Sequence, residues 1–222
     1  MKRKMWLVAM IPMVVTSIVV QFLPDVIPMH HDMAGNIDRW GNKAESFIVP
    51  ILILVIAAFW HAMGSYYEKK ALCAKTEKEQ MEARSSAKFL LLVGIVQSFG
   101  FGVLHYFILY SSYQQAIEES SRMTLDIAKI SCLIMGISFI IIGNFGTKVK
   151  KNSMAGVRTT WRKSNHFGAI CLMITGLLTV VTAAFTGGMM STVLMLIYVL
   201  IMAAATVVYS KKVYDLEIKK TA

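Results

Sequence analysis

The chain has 222 residues, of which 56% are hydrophobic and only 16% are charged, and its mean hydropathy is +0.57. This composition is too apolar for an ordinary soluble domain. The formal net charge of +10 would suit a nucleic-acid-binding protein. The basic residues are spread over several polar segments, however, and this distribution favours membrane topology and attraction to anionic lipids over direct contact with nucleic acid.

Six apolar runs of about 20 residues each make up most of the chain. At about 1.5 Å of rise per residue, a helix of this length crosses a hydrocarbon core of about 30 Å. Backbone groups in lipid must be hydrogen-bonded within the segment, which favours helices. The sequence therefore predicts an all-α, polytopic bundle of six transmembrane helices without a separate soluble domain. The runs are Met5–Leu23, Ser46–Gly64, Phe89–Tyr110, Leu125–Gly143, Phe167–Thr186 and Met190–Tyr209.

Charge bias predicts the orientation of the bundle. All but four of the 23 lysines and arginines fall on one side of the predicted spans. Basic segments stay in the cytoplasm, so we expect a multi-pass protein of the cytoplasmic membrane with both termini inside. The N-terminal Lys2-Arg3-Lys4 precedes a span-length run without a small-residue cleavage pattern, which indicates an uncleaved anchor. The basic residues on the outer side are Arg39, Lys43, Arg122 and Lys129.

The first predicted outer loop, residues 24–45, is long and dense in polar residues. Turn formers such as Gly35-Asn36 and Gly41-Asn42 favour tight turns within it. The loop also contains Ile27 and Trp40, which a solvated linker would not need. We therefore expect it to fold back onto the outer ends of the helices, with Trp40 near the lipid headgroups.

The five histidines cannot form one site, because they fall on opposite sides of the predicted membrane. Only His30, His31 and His105 lie on the outer side, and they are weak candidates for metal ligands. Adjacent histidines in an extended segment point in opposite directions, so ordinary hydrogen bonding is favoured over a metal site. The chain also lacks the motifs of zinc proteases, serine hydrolases and phosphate-binding loops. We predict no metal, no cofactor and no enzymatic activity.

A few residues in the spans indicate how the helices pack. Gln97 lies near the middle of the third span and is expected to hydrogen-bond a neighbouring helix. Asp126 and Lys129 are three residues apart at the start of the fourth span and are expected to form a structural ion pair, either with each other or with the first outer loop. Small residues at four-residue spacing in the third span should let another helix approach closely, and these are Gly94, Ser98 and Gly102.

A second dense polar segment, residues 144–166, is predicted as a cytoplasmic loop before the fifth span. It combines Arg158, Trp161 and Arg162 within a few residues. The simpler interpretation is a basic interfacial segment anchored by Trp161. The alternative is a docking surface for a soluble protein or a ligand.

These two polar segments resemble parts of one family of bacterial membrane proteins. The first outer loop, with Leu23-Pro24-Asp25, Ile27-Pro28, His30, Gly35, Asp38, Gly41 and Lys43, resembles the domain of unknown function (DUF1648) at the start of SdpI-like proteins. Residues 152–168, with Gly156-Val157-Arg158-Thr159 and Trp161-Arg162-Lys163, are similar to the signature loop of the SdpI/YhfL family. One departure is that the stretch which normally separates two tryptophans is missing, and Thr160 occupies the usual proline position.

The resemblance implies an immunity protein, which protects its cell against a secreted peptide toxin that attacks membranes. Some such proteins also hold a transcriptional repressor at the membrane. The toxin would meet the outer loop, and the repressor would meet the inner segment. The implied toxin-binding residues are His30, Asp32, Gly35, Asp38 and Lys43, and the implied docking residues are Gly156, Arg158, Thr159 and Trp161.

The implied organisation has three parts. Residues 1–64 form a helical hairpin with the extracellular loop 24–45, and residues 65–124 form a cytoplasmic linker, the third span and a short outer loop. Residues 125–222 form the SdpI-like region, with the signature loop 144–166 and a C-terminal helical hairpin.

Two other functions stay open from the sequence. One is a metal- or small-molecule-dependent membrane transporter or enzyme with an outer-face site at His30, His31 and His105. The other is a signalling protein without immunity, in which Arg158 and Trp161 capture a soluble regulator.

Overall fold

The computed structural model describes residues 1–31, 36–118, 126–148 and 157–221. Within these ranges the chain forms six α-helices and one β-hairpin. Each helix is long and apolar enough to span a membrane, which confirms the predicted all-α, six-span class. In chain order the elements are α1 (Lys2–Val19), a 3₁₀ turn (Val20–Phe22), β1 (Val26–His31), β2 (Ile37–Asn42), a second 3₁₀ turn (Lys43–Phe47), α2 (Ile48–Leu72), α3 (Glu77–Glu118), α4 (Ile127–Lys148), α5 (Val157–Phe185) and α6 (Gly188–Thr221).

The helices alternate in direction along the chain, so α1 starts and α6 finishes at the same end of the bundle. The β-hairpin lies at the other end, where α1 finishes and α2 starts. We call these the terminal end and the hairpin end. At the terminal end Lys2 Nζ lies 2.5 Å from Glu68 Oε2, and this ion pair joins α1 to α2.

At the terminal end α2 and α3 extend beyond their apolar runs into residues that carry both signs of charge, a pattern that favours a helix. α2 continues through Leu72 and α3 begins at Glu77, so the connection is short. The hydroxyl of Thr76 accepts a hydrogen bond from the backbone N–H of Glu79 at 3.2 Å. This bond satisfies one of the free amides in the first turn of α3.

α3 is packed against both α1 and α2, and its small residues permit the close approach. A Cβ added at Gly94 would lie 2.7 Å from the sulfur of Met5, and one at Gly102 would lie 3.0 Å from Pro12. Ser98, between them, is fully buried. The predicted close contact of these small residues is therefore confirmed; α1 lies against Gly94 and Gly102, and Trp60 of α2 also lies 2.8 Å from the Cβ added at Gly94.

The prediction for Gln97 is also confirmed. Its Oε1 accepts a hydrogen bond from Trp60 Nε1 of α2 at 2.6 Å. A polar group in hydrocarbon needs such a partner, and here the bond also fixes the indole ring between the two helices.

The backbones of α4 and α5 approach closely through three glycines. A Cβ added at Gly136 would lie 2.9 Å from the carbonyl oxygen of Gly176, and one at Gly143 would lie 2.7 Å from that of Ala169. Van der Waals packing is the main force between helices in lipid, so these glycines stabilise the α4–α5 pair directly.

The predicted ion pair between Asp126 and Lys129 is wrong, because both side chains bond to the backbone instead. The Asp126 carboxylate accepts hydrogen bonds from the backbone N–H groups of Lys129 at 2.9 Å and Gly188 at 2.8 Å. The Lys129 ammonium donates to the carbonyl of Ala184 at 3.3 Å. Asp126 immediately precedes α4, where a carboxylate is favoured by free amides and by the helix dipole, and it also reaches the start of α6.

The segment 144–166, predicted as a loop, is helical at both of its ends. α4 continues to Lys148 and α5 begins at Val157, so only residues 149–156 lie between these helices, and they fall outside the described residues. Polar residues at the ends of spans continue a helix readily, because its backbone bonds remain within the segment.

Candidate functional site

The β-hairpin at residues 26–42 is the most elaborate structure at the hairpin end. β1 and β2 are antiparallel, with Val26 opposite Asn42 and His31 opposite Ile37. The register shifts on both sides of His30, which indicates an irregularity or bulge in β1. An isolated two-stranded hairpin is marginally stable in water, so contacts with the bundle must hold this one.

Apolar residues on the underside of the hairpin are packed on the helices. Leu23, Ile27 and Leu109 form one buried cluster, and Ile27 is only 1% exposed. The hydroxyl of Ser112 on α3 donates a hydrogen bond to the carbonyl of Pro28 at 3.2 Å. These contacts confirm that the loop folds back onto the helix ends.

Lys43 connects the base of the hairpin to the segment that follows α1. Its ammonium lies 2.9 Å from Asp25 Oδ1 and donates to the carbonyl of Leu23 at 3.3 Å. Its backbone N–H also donates to the carbonyl of Asp25 at 3.1 Å. Lys43 was predicted to bind a ligand, but the structure gives it partners within the loop.

The exit from β2 is closed by a capping box. The Asn42 side chain accepts the backbone N–H of Ala44 at 2.9 Å, and Glu45 Oε1 accepts the backbone N–H of Asn42 at 3.2 Å. The other carboxylate oxygen of Glu45 forms an ion pair with Arg39. A Cβ added at Gly41 would collide with the Glu45 carboxylate and with the Met29 side chain, so a larger residue here would displace these two side chains.

Across the strands, His30 and Asp38 form a pair that faces away from the core. Their Nδ1 and Oδ1 atoms are 2.6 Å apart, and the two side chains are 67% and 45% exposed. Trp40 is half-exposed on the same hairpin. The structure thus brings together two of the five predicted ligand residues, His30 and Asp38, in an accessible position. Asp32 and Gly35 lie outside the described residues.

The three histidines proposed as weak metal candidates do not form a common site. His30 bonds Asp38, whereas His105 is buried between α3 and α1, where its Nε2 lies 2.7 Å from Thr16 Oγ1. His31 belongs to β1, but its side chain is outside the described part. Among the described residues no group of three His, Cys, Asp or Glu side chains is placed to hold a metal ion.

Three of the four predicted docking residues lie at the opposite end of the bundle. Arg158, Thr159 and Trp161 belong to the first two turns of α5, and only their backbone is described. Gly156 precedes the helix and is outside the described residues. The backbone therefore places three of the four on one helix start, far along the chain from the hairpin.

Sequence reasoning missed the residues that support the hairpin, namely Asp25, Glu45, Leu109 and Ser112. Asn42 followed three residues later by Glu45 is a capping-box pattern, so that signal was present in the sequence. Leu109 and Ser112 carried no signal, because their contact with β1 joins segments about 80 residues apart.

The hairpin falls within the part of the chain that resembles a known family. Residues 7–54 match the model of a domain of unknown function, DUF1648. The matched segment runs from α1 through the hairpin into the start of α2, so this unit is a helix, a hairpin and a second helix. No curated protein and no solved structure matches the chain.

Proposed function

We propose that this protein is an SdpI-like immunity protein, which protects a bacterial cell against a secreted peptide toxin. The observation that carries the proposal is the anchored hairpin of the DUF1648 segment. An exposed surface that contacts with the helices hold in place suits recognition, because less conformational entropy is lost when a partner binds it. The His30–Asp38 pair and Trp40 supply a charged group and an aromatic group on this surface.

The proposal includes an orientation with the hairpin outside the cell and both termini in the cytoplasm. Its support is the excess of lysine and arginine in the segments at the terminal end. Modification of Cys73, which is exposed between α2 and α3, by a membrane-impermeant thiol reagent tests this orientation. Labelling is expected in inverted vesicles and not in intact cells, and the reverse pattern would contradict the orientation.

Immunity is tested by survival of a toxin-sensitive Gram-positive strain challenged with secreted peptide toxins of the SDP type. Cells that express the protein should survive, and His30→Ala or Asp38→Ala should lower the tolerated toxin concentration about tenfold. A matched control is Glu68→Gln, which breaks a partly exposed ion pair at the terminal end. Equal killing with and without the wild-type protein, when it is present in the membrane, would refute immunity.

The proposal extends to signalling through a cytoplasmic repressor. Arg158 and Trp161 at the start of α5 are the residues implied for docking, and they lie at the end opposite the hairpin. Co-purification of a DNA-binding protein with the membranes, lost in Arg158→Ala but kept in the control Lys211→Ala, would support this part. Repressor retention that is unchanged in Arg158→Ala would contradict it without affecting the immunity assay.

A further inference from the structure

A cavity of about 260 Å³ opens at the terminal end between α3, α4 and the first residue of the chain. Its lining combines two kinds of side chain. Phe89, Leu92 and Phe145 give it an apolar floor, and Lys88 and Lys148 stand at its edge, with Ser85 and Met1 completing the wall. Among the described residues, no acidic side chain lines this cavity.

The two lysines carry uncompensated charge. Both are exposed, and within the described ranges neither takes part in an ion pair. The Lys148 ammonium lies 5.9 Å from the centre of the Phe145 ring, close enough for a cation–π contact that orients it over the apolar floor. Two ammonium groups beside one cavity favour an anion there.

The position of the cavity indicates which anion. Lys88 immediately precedes the apolar run of α3, and Lys148 is the last residue of α4, so both lie where membrane spans reach the headgroup layer. A ligand at this depth has a charged part among the lysines and an apolar part against Phe89 and Leu92. An anionic phospholipid has this chemistry, and basic pockets between membrane helices bind such headgroups.

We propose that this cavity is a specific binding site for an anionic phospholipid, with the headgroup phosphate between Lys88 and Lys148 and an acyl chain along Phe89 and Leu92. This site does not depend on the immunity proposal, because it lies at the end of the bundle opposite the hairpin. It differs from general attraction to a charged surface in that two particular lysines, and not their neighbours, determine the affinity.

The test uses the full-length protein in neutral detergent, titrated with phosphatidylglycerol and followed by native mass spectrometry. One lysine near an anionic phosphate changes the affinity by about fivefold, so Lys88→Gln/Lys148→Gln should raise the dissociation constant about 25-fold. The matched control is Lys211→Gln/Lys212→Gln, which removes the same charge from a cavity that also contains Asp215. The control should change the constant less than twofold.

Two further arms separate lipid from other ligands. Phosphatidylcholine should bind no tighter to the wild type than to Lys88→Gln/Lys148→Gln, which we call the pocket variant. Glycerol 3-phosphate, at the same concentration as the lipid, should not displace phosphatidylglycerol. Equal weakening in both double variants, a loss below about threefold in the pocket variant, or displacement by glycerol 3-phosphate would overturn the proposal. If the pocket variant does not fold, Lys148→Gln alone should raise the dissociation constant about fivefold. Its control is Lys212→Gln, and equal weakening of binding in these two single variants would overturn the proposal.

Discussion

The contact between α4 and α5 predicts that Gly176→Ala destabilises the bundle. In the structure a Cβ at residue 176 would lie 2.5 Å from the carbonyl oxygen of Gly136 and 2.9 Å from the backbone nitrogen of Ile140. The first distance is nearly 1 Å short of an ordinary contact at 3.4 Å. Because both atoms belong to the backbone of α4, no side-chain rotation can relieve the clash, and the helices must separate.

The magnitude follows from two losses and one gain. Overpacking of a tight contact costs about 1–3 kcal/mol. Separation of the helices also opens a gap elsewhere along the interface, and a gap of about 0.5–1 Å removes about a quarter to a half of the energy of each van der Waals contact there. Alanine returns up to about 1 kcal/mol through its higher helix propensity. The net expectation is a loss of about 1–2 kcal/mol in the free energy of unfolding.

The assay is unfolding of the purified protein in mixed micelles with increasing sodium dodecyl sulfate, followed by circular dichroism. Gly187→Ala is the matched control, since no described atom beyond its two chain neighbours lies within 4 Å of its added Cβ, and it should change stability by less than about 0.5 kcal/mol. Gly136→Ala should resemble Gly176→Ala, and the double variant should cost less than the two losses together, because the first Cβ has already separated the helices. A Gly176→Ala protein as stable as the Gly187→Ala control would refute the reasoning.

Two other substitutions test polar contacts between or at the ends of helices by the same unfolding assay. Asp126→Ala removes the carboxylate that caps α4 and the start of α6, and should cost about 1–2 kcal/mol, whereas Asp215→Ala on the exposed part of α6 should be nearly neutral. Thr16→Val leaves the Nε2 of buried His105 without its partner and should cost about 1–3 kcal/mol. Ser17→Ala, which removes only a local bond to α1 on an exposed face, is the control, and a Thr16→Val loss no larger than this control would show that the His105 contact contributes little.

The hairpin shows both the reach and the limit of inference from the sequence. Turn formers and apolar residues in segment 24–45 predicted an ordered loop that folds back onto the helices, and the burial of Ile27 confirms this. The segment was not predicted to form strands, because β1 carries no regular alternation and contains Pro28. Its partners on α3, Leu109 and Ser112, are distant in sequence and left no local pattern.

Ion pairs were harder to predict than helix contacts. Gln97 and the small residues of α3 were identified correctly, because a polar group or a glycine within an apolar span has few roles other than packing. The Asp126–Lys129 pair was wrong, since sequence spacing shows which side chains are close but not which backbone amides are free. The start of α6 at Gly188 is brought to Asp126 only by the antiparallel packing of α4, α5 and α6.

The sequence by itself determined the six membrane-spanning helices, since hydrocarbon thickness sets the length of an apolar helix and lipid requires its backbone to be internally bonded. It also located the polar loop with the DUF1648 resemblance. Tertiary structure alone decided that His30 and Asp38 face each other on a hairpin while His105 is buried beside Thr16. It also decided that Lys88 and Lys148 border one cavity. These contacts join residues far apart in the chain, and their geometry depends on how the helices pack, which no local spacing encodes.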